Sequence, residues 1–116
     1  MATMGAIEAI KGRRSVRRYL PDPVPREIIE DIVDCGRLAP SARNDQPWEF
    51  VVVTDRTVRE EIAAAATYGK CIADAPVCVL AFARQTRRHT EDTCAAVENM
   101  LIAAYAHGLG SCWIAG

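Results

Sequence analysis

Two stretches of this sequence hold the residue types that could bind or transform a small molecule. The first is Arg-Arg-Ser-Val-Arg at residues 13–17. In an extended segment alternate side chains face the same way, so Arg13, Ser15 and Arg17 share one face, while Arg14 and Arg18 share the other. Two guanidiniums flanking a hydroxyl suit a phosphate, because arginine makes paired, charge-assisted bonds to its oxygens. A solvated basic segment is the other reading. The second stretch, residues 40–47, carries two prolines with Ser41, Arg43, Asn44, Asp45 and Gln46 between them. Each proline removes a backbone donor, and Ser, Asn and Asp side chains compete with helix hydrogen bonds, so this is loop chemistry. A loop so rich in donors can bind something polar, or it can be an ordinary helix-to-strand connection.

Other chemistries lose their usual support. His89 and His107 are isolated and lack metal-ligand spacing, and His107 falls where it would complement a helix C-terminus. No Ser-His-Asp, HExxH, P-loop or GxGxxG pattern is present. The five cysteines, Cys35, Cys71, Cys78, Cys94 and Cys112, are odd in number and lack CxxC spacing. That fits neither a disulfide scaffold nor a zinc site. Free thiols suit a reducing compartment, so a cytoplasmic location is expected. The net charge of −1 argues against non-specific nucleic-acid binding, although residues 11–18 hold five positive charges and Arg84, Arg87 and Arg88 form a smaller group. The latter group reads as a solvated, mobile connection or as a contact for a partner or a nicotinamide phosphate. The N-terminus lacks the pattern of a signal peptide, and no apolar run approaches the roughly 18 residues of a membrane span.

The elements that must position these residues follow from punctuation and periodicity. Thr3 can cap a short helix carrying Met4, Ile7 and Ile10, with Gly12 stopping it in a left-handed conformation. Residues 13–20 run extended. Pro25 fits a first helical position, and Ile28, Ile29, Ile32 and Val33 then make one apolar stripe of a helix ending before Pro40. Residues 48–54 are β-branched and aromatic and read as a strand. Thr54 or Asp55 can cap a helix to about Thr67, with Val58, Ile62 and Ala65 or Ala66 inside. Residues 68–70 and 73–76 read as irregular, and 77–83 as a buried strand. Thr90 can cap the longest helix, 91–107, whose apolar and small residues suit a central or subunit-interface position. Gly108 and Gly110 end it, and residues 111–114 look like the start of a third strand. One domain at most is expected at 116 residues.

Three segments together resemble the nitroreductase family of flavoproteins: the basic run at 13–17, the Pro-Ser-x-x-Asn-x-Gln-Pro-Trp loop at 40–48, and a long helix running into Gly-Leu-Gly-Ser-Cys-Trp-Ile-Ala-Gly at 108–116. They occur in the family's order, and the likeness spans nearly the whole chain. The resemblance implies an α+β fold, with a central, mainly antiparallel sheet flanked by helices, built as a homodimer with FMN at the interface. Family members continue beyond the strand begun at residue 111, so the chain resembles the N-terminal portion of the usual domain.

By resemblance, Arg13 and Ser15 hold the FMN phosphate, with Arg14 beside them. Arg17 lies near the flavin N1 and O2 edge, where a fixed positive charge stabilises the reduced anion. The loop comes from the other subunit, with Pro40, Ser41, Ala42 and Asn44 as contacts, Asn44 reaching the ribityl chain and Gln46 contacting the cofactor or bracing the loop. Ile114, Ala115 and Gly116 pass the flavin ring, an amide near Ala115 donating toward N5. The implied reaction is ping-pong transfer of hydride from NADH or NADPH, through the flavin, to a nitroaromatic, quinone or similar acceptor. No protein acid or base is demanded. Two alternatives stand beside it. One is a relative that dehalogenates iodotyrosine, fragments flavin or oxidises azoline rings. The other is a flavin-binding or dimerisation module without turnover.

Overall fold

The computed structural model describes residues 4–115. Helix α1 (Ala6–Gly12) is followed by an extended segment and α2 (Arg26–Arg37). A loop with a short 3-10 turn leads into strand β1 (Trp48–Val53). Helices α3 (Arg56–Ala65) and α4 (Cys71–Asp74) connect it to β2 (Cys78–Ala83), and α5 (His89–Ala106) comes last. The strands pair antiparallel, from Trp48 opposite Ala83 to Val53 opposite Cys78. The antiparallel sheet expected from the sequence is therefore present in two strands. The expected third strand is, among the described residues, a single parallel bridge between Ser111 and Ser15.

Helix α5 is the element against which the rest is assembled. It contacts α1, α2, β1 and β2. Ala96, fully buried, clusters with Ala39 and Trp48, and Phe50 and Ala95 pack around them. Small residues on α5 and its neighbours permit close approach. A Cβ at Gly36 would stand 2.7 Å from Met100 Cγ, and one at Gly12 would stand 2.6 Å from Tyr105 Oη. Side chains tie α5 to α2 as well. Asn99 Nδ2 donates to Cys35 O at 3.0 Å, and His107 Nε2 lies 2.6 Å from Asp31 Oδ2. This contact with Asp31 adds to the expected place of His107 at the helix end, where it is the C-cap residue.

Several boundaries differ from expectation for local reasons. Thr3 lies outside the described residues; Gly5 is the N-cap of α1, which leaves Met4 outside that helix. Among the glycines with positive φ, Gly108 appears at +81° and Gly12 does not. Gly12 is needed for its missing side chain against Tyr105, whereas Gly108 turns the chain out of α5 in the left-handed region. Pro25 is the N-cap residue of α2, one position earlier than expected. Asp55, rather than Thr54, caps α3 by accepting from Val58 N at 3.0 Å. Val58 itself is 40% exposed, so the inner face of α3 rests on Ile62. Residues 71–74 form the single turn α4, where the sequence pattern gives too short a period to see. Thr90 sits inside α5, whose N-cap is Arg88 with no side-chain capping bond.

Candidate functional site

The basic segment is fixed at one end of α5. Val16 N donates to Ser111 O at 2.9 Å, which forms the bridge between Ser15 and Ser111. Gly110 makes this approach possible, since a Cβ there would stand 2.9 Å from Val16. The run at 13–17 and the start of the 108–116 segment are thus brought side by side, although most of the chain separates them. Arg13 is half-buried, while Ser15 and Arg17 are exposed. Among the described residues, none of Arg13, Arg17 or Arg18 has an ion-pair partner (the salt bridges lie elsewhere). Arg14 turns back onto α1, its Nη1 donating to Lys11 O, Gly12 O and Arg13 O at 3.0, 3.2 and 2.8 Å. Ser111 Oγ is buried with no partner among the described residues. Ile114 is half-buried and Ala115 exposed; Gly116 lies outside the described residues. Trp113 is 44% exposed.

Beside this bridge runs a large apolar cavity of about 820 Å³, lined by Val16, Tyr19, Cys71, Leu80, Cys112 and Ile114 among others. Tyr19 donates from its hydroxyl to Val16 O. Burial, with smaller contributions from the Cys71 and Cys112 thiols and against the pull of Arg17, pushes its phenol up to about 12. Burial likewise raises the thiols of Cys35, Cys71 and Cys78.

The loop at 40–47 is fixed at the other end of α5. Pro47 is fully buried, and Ala39 and Trp48 sit in the core, so both ends of the loop are anchored. Between them Arg43, Asn44 and Gln46 adopt φ of +55°, +56° and +47°. Asn tolerates the left-handed region through local hydrogen bonding; for Arg and Gln it costs on the order of 1–2 kcal/mol each. Bonds within the loop oppose that cost. Asn44 N donates to Ser41 O at 3.0 Å, Asp45 N to Ala42 O at 3.0 Å, and Gln46 N to Ser41 Oγ at 3.0 Å. Two side chains from outside join them. Asp92 Oδ1 accepts from Ala42 N at 3.0 Å, and Arg84 Nη2 donates to Asp45 O and Gln46 O at 3.0 and 2.9 Å. The result exposes Pro40, Arg43, Asn44 and Gln46 and leaves Ser41 and Ala42 half-buried.

Sequence reasoning did not single out Asp92 or Ser111, and it left Arg84 as a solvated residue or a partner contact. Asp92 carried a signal. It shares helical spacing with the buried Ala96, Met100 and Ala103, and a carboxylate on a buried stripe requires a donor. Arg84 carried none until the strands were paired, because its position opposite Pro47 follows from the register.

Within one chain the two site segments do not meet. The loop is held at Asp92 and the basic segment near Tyr105 and Ser111. At about 1.5 Å per residue, Asp92 and Tyr105 lie roughly 20 Å apart along α5.

A model of the nitroreductase family matches residues 10–69 and 66–116. The chain is 36% identical over 118 aligned positions, 97% of its length, to a protein of Methanothermobacter thermautotrophicus named as a candidate NADH dehydrogenase/NAD(P)H nitroreductase. It spans 62% of that relative's length. The structure of a Bacteroides fragilis nitroreductase with bound FMN superposes with a TM-score of 0.83 at 30% identity, covering 97% of this chain and 70% of that one. A shorter stretch, 43% of this chain and 17% of the relative, is 46% identical to an iodotyrosine deiodinase of Danio rerio.

Proposed function

This chain belongs to the nitroreductase family, and on that premise we propose that residues 1–116 are the N-terminal portion of one flavin-binding domain of an FMN-dependent NAD(P)H oxidoreductase. The observation that supports this reading is the bridge between Ser15 and Ser111, which sets residue 111 beside a basic run whose Arg13 and Arg17 have no ion-pair partner among the described residues. That donor set fits FMN. Arginines without ion-pair partners suit a dianionic phosphate, and an unpartnered buried hydroxyl beside them leaves a polar group to be satisfied. The cavity of about 820 Å³ next to the bridge lies within the size range of small-molecule sites.

In this reading Arg13 and Ser15 bind the phosphate, and Arg14, held against the end of α1, adds positive charge behind them. Arg17 supplies a fixed cation at the edge where negative charge develops on reduction. The backbone at Ile114 and Ala115 borders the ring, and the small side chain at Ala115 permits close approach. Pro40, Ser41, Ala42, Asn44 and Gln46 act from a second copy of the chain. The roughly 20 Å along α5 between the two segments supports that assignment, because a homodimer with the cofactor at its interface brings them together. Bound FMN supplies two-electron redox chemistry between NADH or NADPH and a nitroaromatic, quinone or related acceptor. The chain's own contribution is binding, orientation and exclusion of water. No protein acid or base is assigned.

The deciding measurement is the visible spectrum of the purified protein with FMN, before and after anaerobic NADH or NADPH. Flavin bands that bleach support the oxidoreductase. Bands that persist with both reductants point to a flavin-binding module without turnover. Failure to take up FMN removes the proposal.

A further inference from the structure

We propose that Arg84 and Asp92 are positioning residues that hold loop 40–46 in its binding conformation from two sides. The inference rests on the flavin-site reading above and deepens it.

Arg84 leaves the end of β2, where its amide donates to Pro47 O at 2.9 Å and so continues the pairing of the strands. Its guanidinium then reaches the carbonyls of Asp45 and Gln46, two consecutive acceptors that share one nitrogen, and Gln46 is left-handed there. Asp92 approaches from α5. It is 6% exposed, and Oδ1 takes the Ala42 amide at the opposite end of the strained turn. Its Oδ2 is buried without a partner among the described residues, so the bond from Ala42 N is the side-chain hydrogen bond that explains a carboxylate on this face of the helix. The left-handed residues Arg43, Asn44 and Gln46 lie at or between these two anchor points. Removing either anchor leaves the turn free to relax toward right-handed backbone. Asn44 would then no longer be presented in one orientation, and a loop that is competent for part of the time binds in proportion to that fraction.

The loop carries its own reporter. Arg43 is exposed and is a tryptic site at the centre of the turn. Arg84→Ala alters an exposed side chain and leaves the core untouched. It is expected to speed cleavage after Arg43 about fivefold or more, as opening becomes more frequent, with unchanged helix content by circular dichroism. FMN affinity is expected to fall about tenfold through the smaller competent fraction. Asp92→Leu removes the acceptor and should act in the same direction. Asp92→Asn keeps an oxygen for Ala42 N and should restore cleavage to within about twofold of the parent.

Cleavage after Arg43 at the parent rate in Arg84→Ala overturns the inference, whether or not FMN binds. Faster cleavage with unchanged FMN affinity overturns it as well, because the loop would then be held for some other purpose. A parent protein that takes up no FMN defeats the functional reading by itself, and the cleavage rates alone then decide on Arg84 and Asp92.

Discussion

Arg13 and Gly12 are adjacent, yet they test different things. Arg13 has no ion-pair partner among the described residues and is half-buried, so its guanidinium is free to serve a ligand. A hydrogen bond to a charged group is worth about 1.5–3 kcal/mol. Arg13→Ala is therefore expected to weaken FMN binding by roughly 10- to 150-fold in a fluorescence titration, with little change in the denaturant midpoint. Equal affinity in mutant and parent would remove the phosphate assignment. Gly12→Ala should do the reverse. Its new Cβ would meet the Tyr105 ring at 2.6–2.9 Å, and overpacking of that kind costs about 1–3 kcal/mol, readable as a lower urea midpoint. The residues most open to sequence reasoning were those whose side-chain chemistry is unusual for their surroundings, such as the arginine run and the donor-rich loop. The need for glycine at residue 12 was legible, but its cause was not. It resides in Tyr105, far away in sequence, and not in the backbone torsion that glycine normally signals.

At the level of elements, periodicity and punctuation located α2, α3, α5 and both strands, because each has an apolar pattern long enough to read. They failed where structure is local and short. α4 is a single turn, and the loop around the turn at Ala42–Asn44 takes left-handed torsions at Arg43 and Gln46, residues that do not normally announce them. Caps were legible when a side chain makes the bond. Asp55→Ala is expected to cost about 1 kcal/mol, seen as a lower thermal midpoint, because Val58 N would lose its acceptor. At the C-terminus of α5, Gly108→Ala places a Cβ at φ of +81° and should cost about 1–2 kcal/mol by the same measurement. An unchanged midpoint would mean that the turn relaxes without loss. The bond between Asp92 and the loop joins two elements far apart in sequence, and the neighbouring packing of Ala96 with Trp48 and Ala39 brings α5 against the loop's two ends.

For the molecule as a whole, alkaline pH should be destabilising. Burial raises the Cys35, Cys71 and Cys78 thiols, and raises Tyr19 from 10.0 to about 12. Each group holds its proton more tightly folded than unfolded. The stability this confers is intact below the unfolded value, near 8.5 for a thiol, and declines as pH rises above it. A urea midpoint that fell steadily from about pH 8.5 upward, with slow thiol alkylation of the native protein at neutral pH, would fit. A midpoint that is flat or rising over that range would contradict it. Assembly can be tested by mixing copies. If the loop serves the neighbouring copy, dimers pairing Arg13→Ala with Asn44→Ala regain one complete site, which neither homodimer has. No recovery of FMN binding would place both segments in the same chain's site. The bridge between Ser15 and Ser111 has a consequence in time as well as in space. It joins residues with most of the given sequence between them, and a contact of such long range forms only after the intervening chain has already given up most of its freedom. Cofactor capture would then be a late event in folding, and the moment of flavin fluorescence quenching in a refolding experiment would mark when the last long-range contact closes.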